Sequence, residues 1–270
     1  MRIKTFLKRL VLRLTPENIL QLMKKIHYAR SLRSISEKDE PDLKVIRHLV
    51  TPGQHAADLG ANLGVYTKCL SELVGMSGRV YSVEPIPLSF EILRFNVQRW
   101  GLKNVELINC AISDINGHVT MEVPLYESGG ENFYGAHIVT KEVRHLPLRK
   151  VVVPSATIDS LFSELDSVIY FIKCDVEGHE LSCIRGAIQT IGNFKPAWLI
   201  EISGDPDDEN SPAHGTFDVL LANGYEAYWF DGTTLRVRRS TERSVNYFFF
   251  TGQHLRVLEQ RGLPVERSCR

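Results

Sequence analysis

Short apolar runs alternate along the chain with stretches whose apolar positions recur at helical spacing. The runs are His55–Leu59, Arg79–Val83, Val105–Asn109, Val168–Lys173 and Pro196–Ile202. Helical periodicity occupies Gly64–Val74, Leu88–Trp100, Glu180–Ile191 and Thr216–Asn223, with Leu181, Ile184, Ile188 and Ile191 marking the apolar face of the third. Continuous apolar strands alternating with amphipathic helices predict βαβ units and a parallel sheet buried on both faces. Tyr225–Phe230 and Asn246–Thr251 are strand-like and predict a terminal antiparallel hairpin turning at Asp231-Gly232. The rhythm breaks over 119–153, where β-like ends flank a Gly-rich middle bearing Tyr126, Phe133, Tyr134 and His137; this reads as an insertion shaping a substrate pocket.

The first forty residues have a different pattern. Phe6, Leu10 and Leu14 recur every four residues with Leu7 and Val11 beside them, and Ile19, Leu22, Met23 and Ile26 trace a second apolar face after Pro16. Between Met1 and Arg33 stand nine Lys or Arg residues and the single acid Glu17. The expectation is a basic amphipathic arm over 1–40, a main domain over 41–254 and a tail over 255–270. The arm either packs on protein, the chain's own domain or a second copy, or lies peripherally on an inner membrane surface.

Charge is balanced over the whole chain, 32 basic against 32 acidic side chains, which gives no expectation of nucleic-acid binding. Five scattered cysteines without a Cys-x-x-Cys pair fit a reducing cytoplasm. No apolar run approaches the ~20 residues of a membrane-spanning helix, and no secretory signal is evident.

Candidate chemistry begins where the first strand ends. In Asp58-Leu59-Gly60-Ala61-Asn62-Leu63-Gly64, the glycines allow a tight turn and close backbone approach to a ligand, and Asp58 would hold the loop or a ligand amine. Glu84 closes the next strand 24 positions after Gly60, near the spacing of an acid that binds ribose hydroxyls. A dinucleotide fingerprint would want glycine at Asn62 and Val65, so a nicotinamide-dependent oxidoreductase is the disfavoured alternative.

Asp-x-Gly-x-Asn-x-Gly, Ser82-Val83-Glu84-Pro85, Asn109-Cys110-Ala111-Ile112-Ser113-Asp114, Ile172-Lys173-Cys174-Asp175-Val176-Glu177-Gly178-His179-Glu180 and Leu199-Ile200-Glu201 occur in that order. Together they resemble the FkbM-type methyltransferases over roughly 45–251. The resemblance implies a seven-stranded class I methyltransferase fold, S-adenosylmethionine as donor, and O-methylation of a small-molecule, glycan, glycolipid or polyketide-like acceptor. By position it puts Asp58, Gly60, Ala61, Asn62, Gly64, Tyr66 and Thr67 around the methionine half of the donor. Glu84 and Pro85 fall at the ribose, and Ala111, Ile112 and Ser113 at the adenine edge. Tyr66 fits either that pocket or the core.

Asp175, Glu177, His179 and Glu180 follow an apolar strand and so stand at the carboxyl edge of the sheet beside the cofactor. An alcohol acceptor needs a base: His179 is the first candidate, with Asp175 or Glu177 as alternatives if crowding raises their pKa. Glu180 needs no more than the favourable electrostatics of a helix start. Lys173, near the end of a buried strand, demands a carboxylate partner such as Asp175 or Glu201. Asp175 and Glu201 are also candidate ligands for a divalent metal. The acidic loop Gly204–Asn210 reads as a mobile lid or a solvated surface loop. A non-catalytic, membrane-associated binding module, with the basic arm as its working part, is the remaining alternative.

Overall fold

A computed structural model of the chain describes residues 17–124, 137–138, 148–163, 165 and 168–267. In chain order the elements are α1 (Glu17–Ser31), α2 (Asp42–Leu49), β1 (His55–Leu59), α3 (Val65–Val74), β2 (Arg79–Val83), α4 (Pro87–Trp100), β3 (Val105–Ile108), β4 (Ala111–Ile112), β5 (Gly117–Pro124), β6 (His137–Ile138) and β7 (Leu148–Ala156). There follow α5 (Ile158–Phe162), β8 (Ile169–Cys174), α6 (Glu180–Arg185), α7 (Ile188–Phe194), β9 (Ala197–Glu201), α8 (Pro212–Ala222), β10 (Glu226–Phe230), β11 (Leu235–Val237), β12 (Asn246–Phe250) and α9 (Gly252–Gln260).

The main sheet runs β11-β10-β12-β9-β8-β1-β2-β3, parallel from β9 to β3 and antiparallel from β9 to β11. This is the class I methyltransferase arrangement, an α/β fold with helices on both faces. Alternate side chains of each strand enter two separate cores. Ala57, Ile172, Trp198 and Ile200 meet Cys183, Ile184 and Phe217 on one face. Ala56, Phe171 and Leu199 meet Ile46, Leu70 and Leu255 on the other. Burial on both faces explains why these strands read as unbroken apolar runs. The chain passes outward through β1, β2 and β3, then returns to place β8 on the other side of β1. The loops after β1 and β8 therefore diverge at a topological switch point, where an open α/β sheet leaves a crevice.

The structure corrects several expectations. The sheet has eight strands rather than seven, and Asp231 turns β10 into the short edge strand β11, not into β12; β12 inserts between β10 and β9. Helix 180–191 is two helices broken at Gly186, where a Cβ would lie 2.2 Å from the Ser113 carbonyl oxygen. The 119–153 insertion belongs to a four-stranded sheet β4-β7-β5-β6 spanning 111–156. Its Tyr126, Phe133, Tyr134 and the His137 side chain lie outside the described residues, as does the arm through Pro16. The tail is no separate appendage: a capping box of Thr251 and His254 starts α9, whose Leu255 and Leu258, with Leu263 beyond, are buried in the second core. Among the described residues no helix is long and apolar enough to cross a membrane.

Candidate active site

The turn after β1 is built by positive backbone angles: Gly60 at φ 75°, Asn62 at φ 47° and Gly64 at φ 93°. Gly60 has a second constraint, because a Cβ there would stand 1.8 Å from the carbonyl oxygen of Asp175. The two switch-point loops thus touch through bare backbone. Asparagine tolerates the left-handed region better than most side chains, so Asn62 serves where glycine is common.

Glu84 is the pivot of the opposite wall. Its Oε2 accepts the Asn62 N–H at 2.9 Å and its Oε1 accepts the Ile86 N–H at 2.9 Å. Burial pushes the carboxyl up to about 7 despite both bonds. Each oxygen retains acceptor capacity for a further donor. Asn109 Nδ2 donates to the carbonyls of Glu84 and Pro85 at 2.7 and 3.1 Å, which fixes the strand end.

Between these walls lies a cleft lined by Gly60, Asn62, Glu84, Pro85, Ala111, Ile112 and Asp175 from the sequence expectation. Val83, Ile86, Cys110, Met121, Val176 and Glu177 complete it. Met121 comes from β5 in the second sheet, and no local motif announced it. Asp58, Ala61, Gly64, Tyr66, Thr67 and Ser113 stand outside this lining and shape it from behind.

Behind the β1 turn, Asp58 Oδ2 accepts from Thr67 Oγ1 at 2.6 Å, and Thr67 Oγ1 meets Ser82 Oγ at 2.9 Å. Since Thr67 gives its proton to Asp58, Ser82 donates to Thr67. Asp58 Oδ1 is buried with no hydrogen-bond partner, and burial raises this carboxyl against the opposing pull of Lys173. Lys173 Nζ donates to Asp175 Oδ2 at 2.7 Å and lies 4.9 Å from the centroid of the Tyr66 ring. Burial alone would lower the Lys173 pKa, but Asp175 and Asp58 outweigh it and hold the amine charged. Tyr66 belongs to this support: its hydroxyl donates to Glu40 Oε2 at 3.2 Å.

The loop after β8 carries two consecutive left-handed residues, Glu177 at φ 53° and Gly178 at φ 89°. Glu177 reaches the cleft rim, with its side chain exposed to solvent. Desolvation of its carboxyl end, followed by the charges of Asp175, Glu201 and Glu180, raises it to about 7. Among the described residues no hydrogen-bond donor engages that carboxylate. His179 faces another way, its Nε2 3.0 Å from Ser113 Oγ, while Ser113 Oγ donates to Asp114 Oδ1 at 3.1 Å. With the serine proton spent on Asp114, His179 Nε2 is the donor and Nδ1 the free acceptor. Burial lowers the His179 pKa, opposed by Asp114, which favours the neutral ring. His179 does not line the cleft. Glu180 Oε1 accepts the Gly178 N–H at 2.8 Å and is buried, a loop-fixing role.

Glu201 ends β9, raised by burial and then by Asp175. Among the described residues no group of three His, Cys, Asp or Glu side chains is disposed to hold a metal ion. The positive charge beside Asp175 is the Lys173 ammonium. The acidic loop is not a free lid: Asp207 meets Arg238 Nη2 at 2.5 Å, Arg243 Nη1 at 2.7 Å and the Thr241 N–H at 2.8 Å, and Asp205 meets Arg243.

The family model described as the methyltransferase FkbM domain matches residues 58–227, from the β1 turn into β10. A protein-L-isoaspartate O-methyltransferase of Methanothrix thermoacetophila is 41% identical over 56 residues, covering 21% of this chain and 27% of that protein. This chain thus aligns with about a quarter of that relative's length. Among solved structures, methyltransferase FkbM from Methylobacillus flagellatus KT matches with TM-score 0.45 at 15% identity, over 84% of this chain and 59% of that one. Aeropyrum pernix fibrillarin, solved with natively bound S-adenosyl-L-methionine, matches with TM-score 0.45 at 14% identity, over 78% of this chain and 73% of that one.

Proposed function

Because the chain belongs to the methyltransferase FkbM domain family, we propose that it transfers a methyl group from S-adenosylmethionine to a hydroxyl oxygen of a small molecule or glycan, with Glu177 receiving the hydroxyl proton. The observation that carries this reading is the placement of the Glu177 carboxyl on the rim of the cleft whose far wall is Glu84.

The cleft residues fit the donor. Glu84 offers acceptor capacity to ribose hydroxyls, and Ile86, Ala111, Ile112 and Met121 supply an apolar slot for a flat base. Gly60 leaves backbone open to a ligand beside the Asp175 carbonyl. When bound, the donor supplies an electrophilic methyl group on a sulfonium.

The chain's own groups do the rest. A base works best with a pKa near the working pH, and Glu177, raised to about 7, is about half ionised there. Asp175 accepts from Lys173 Nζ, which positions it to orient rather than to take a proton. His179, first among the candidate bases by sequence, is anchored to Ser113 and turned from the cleft, so its role here is to fix the loop.

The test pairs binding with turnover. S-adenosylhomocysteine binds the wild type by calorimetry, and Glu84→Ala weakens that binding; absence of binding overturns the reading. In tritiated-methyl transfer against pooled glycans, lipids and metabolites, Glu177→Gln loses about 10²–10⁴-fold in kcat while retaining S-adenosylhomocysteine affinity. A larger loss for His179→Ala than for Glu177→Gln moves the base to the imidazole.

A further inference from the structure

We infer that the outer face of α1 is a docking surface for an anionic phospholipid membrane, with Met23 and Ile26 entering the headgroup layer and Arg30, Arg33 and Arg99 meeting its phosphates. The inference does not depend on the methyl-transfer reading.

The stripe follows from helix geometry. Ile19, Met23, Ile26 and Arg30 fall at i, i+4, i+7 and i+11, one line along the helix. Ile19 is 46% exposed, Met23 58% and Ile26 36%. The flank beside this stripe is committed to protein: Ala29 is buried, and its carbonyl oxygen accepts the Trp100 Nε1–H of α4 at 3.0 Å. Water-facing apolar side chains in a row along one helix whose flank is packed on protein leave a surface built for an apolar layer.

Charge selects the layer. Where the stripe ends, Ile26, Ala29 and Trp100 form the floor of a depression ringed by Arg30, Arg33 and Arg99. Among the described residues none of these three arginines meets a carboxylate, whereas Arg94, Arg238 and Arg243 each do. In a chain of zero formal net charge, three exposed and uncompensated guanidinium groups beside an apolar stripe are local cation in excess. Guanidinium forks match phosphate oxygens, and their stems can lie along an apolar boundary while the heads reach the headgroups. The sequence N-terminal to α1 adds Arg2, Lys4, Lys8, Arg9 and Arg13 without an acid. A second copy presenting this same face would set arginines against arginines, so charge favours the lipid.

The surface also touches the cleft's support. The Trp100 ring that floors the depression packs on the β1 turn, 3.5 Å from where a Cβ on Gly64 would stand. A membrane here lies behind the turn that shapes the cleft.

The full chain is to be co-sedimented with phosphatidylcholine vesicles and with vesicles mixing phosphatidylcholine and phosphatidylglycerol. It pellets with the mixed vesicles and not with the neutral ones, less so as salt rises. Met23→Glu with Ile26→Glu, and separately Arg30→Gln with Arg33→Gln and Arg99→Gln, each lower the partition coefficient about tenfold or more. Unchanged S-adenosylhomocysteine binding and unfolding midpoint verify that the variants are folded. Failure of the wild type to pellet with mixed vesicles overturns the inference, as does unchanged binding by either variant. A dimer that Ile26→Glu dissociates, without vesicle binding, assigns the face to a second copy. If the wild type pellets with mixed vesicles but does not bind S-adenosylhomocysteine, the membrane inference stands and the methyl-transfer reading falls.

Discussion

Two stretches of this chain are dense in carboxylates, Asp175–Glu180 after β8 and Gly204–Asn210 after β9, and they have opposite electrostatics. In the first, Glu180 is buried and the exposed Glu177 has its carboxyl end partly desolvated and crowded by Asp175, Glu201 and Glu180, and both are pushed upward. The cation that opposes the rise at Glu177 is a buried ammonium, Lys173, itself bonded to Asp175. In the second, Asp205 and Asp207 are held below the ordinary carboxylate range, chiefly by backbone N–H donors and by arginine. Asp207 alone takes the Thr241 N–H, Arg238 and Arg243. Acid density in a sequence therefore says little about chemistry. Where the counter-charge sits decides which cluster holds a proton near neutrality and which is a fastening.

The harshest test of that contrast removes the cation. Lys173→Met leaves Asp58 and Asp175 without their buried counter-charge, and loss of one partner from such a group costs about 3–5 kcal/mol. Urea unfolding at pH 8 measures it. Adding Asp175→Asn to Lys173→Met recovers part of the loss. A cost near that of an exposed ion pair would mean that Lys173 does not organise the cluster.

Acid gives the next largest effect, with opposite signs in the two regions. Glu84 is raised from 4.5 to about 7, so the folded state binds its proton more tightly than the unfolded chain does. The cost of the ionised form is present above about pH 7 and is relieved as pH falls toward 4.5, a gain on the order of 2–3 kcal/mol. Glu177 acts in the same direction with a smaller share, because solvent reaches its side chain. Asp207 acts the other way: its stabilisation is complete above its unfolded value of 3.8 and is lost as pH falls below that. Stability should therefore peak near about pH 5 rather than at neutrality. Glu84→Gln removes most of the slope between 7 and 4.5, and a slope that survives it would assign the titration elsewhere.

The parallel half of the fold was legible because burial on both faces writes strands as unbroken apolar runs, and the β1 turn because its glycines have no substitute at φ 75° and 93°. What escaped the sequence depends on contacts from distant segments. Nothing near Met121 marks it as a cleft residue; pairing of β5 with β7 brings it there. Tyr66 fitted pocket and core equally until the positions of Lys173 and Glu40 decided it. Periodicity ran straight through Gly186, although the Ser113 carbonyl behind it breaks the helix. Gly186→Ala should cost about 1–3 kcal/mol through that clash, and by shifting Ser113 it should loosen the His179 anchor. A raised His179 pKa by NMR would report the loosening.

The smallest effect belongs to the fastening. Asp207→Asn removes a carboxylate whose pKa the fold holds below the ordinary range, so it lowers the unfolding midpoint modestly at pH 7. The deficit shrinks as pH falls below the unfolded value of 3.8, where the unfolded chain takes up the proton ahead of the folded one. It should leave S-adenosylhomocysteine affinity and methyl transfer unchanged, because Asp207 faces Arg238 and Arg243 rather than the cleft. Loss of transfer without loss of stability in this variant would erase the distinction between the two acidic stretches. It would return the Gly204–Asn210 loop to the active site as a moving part.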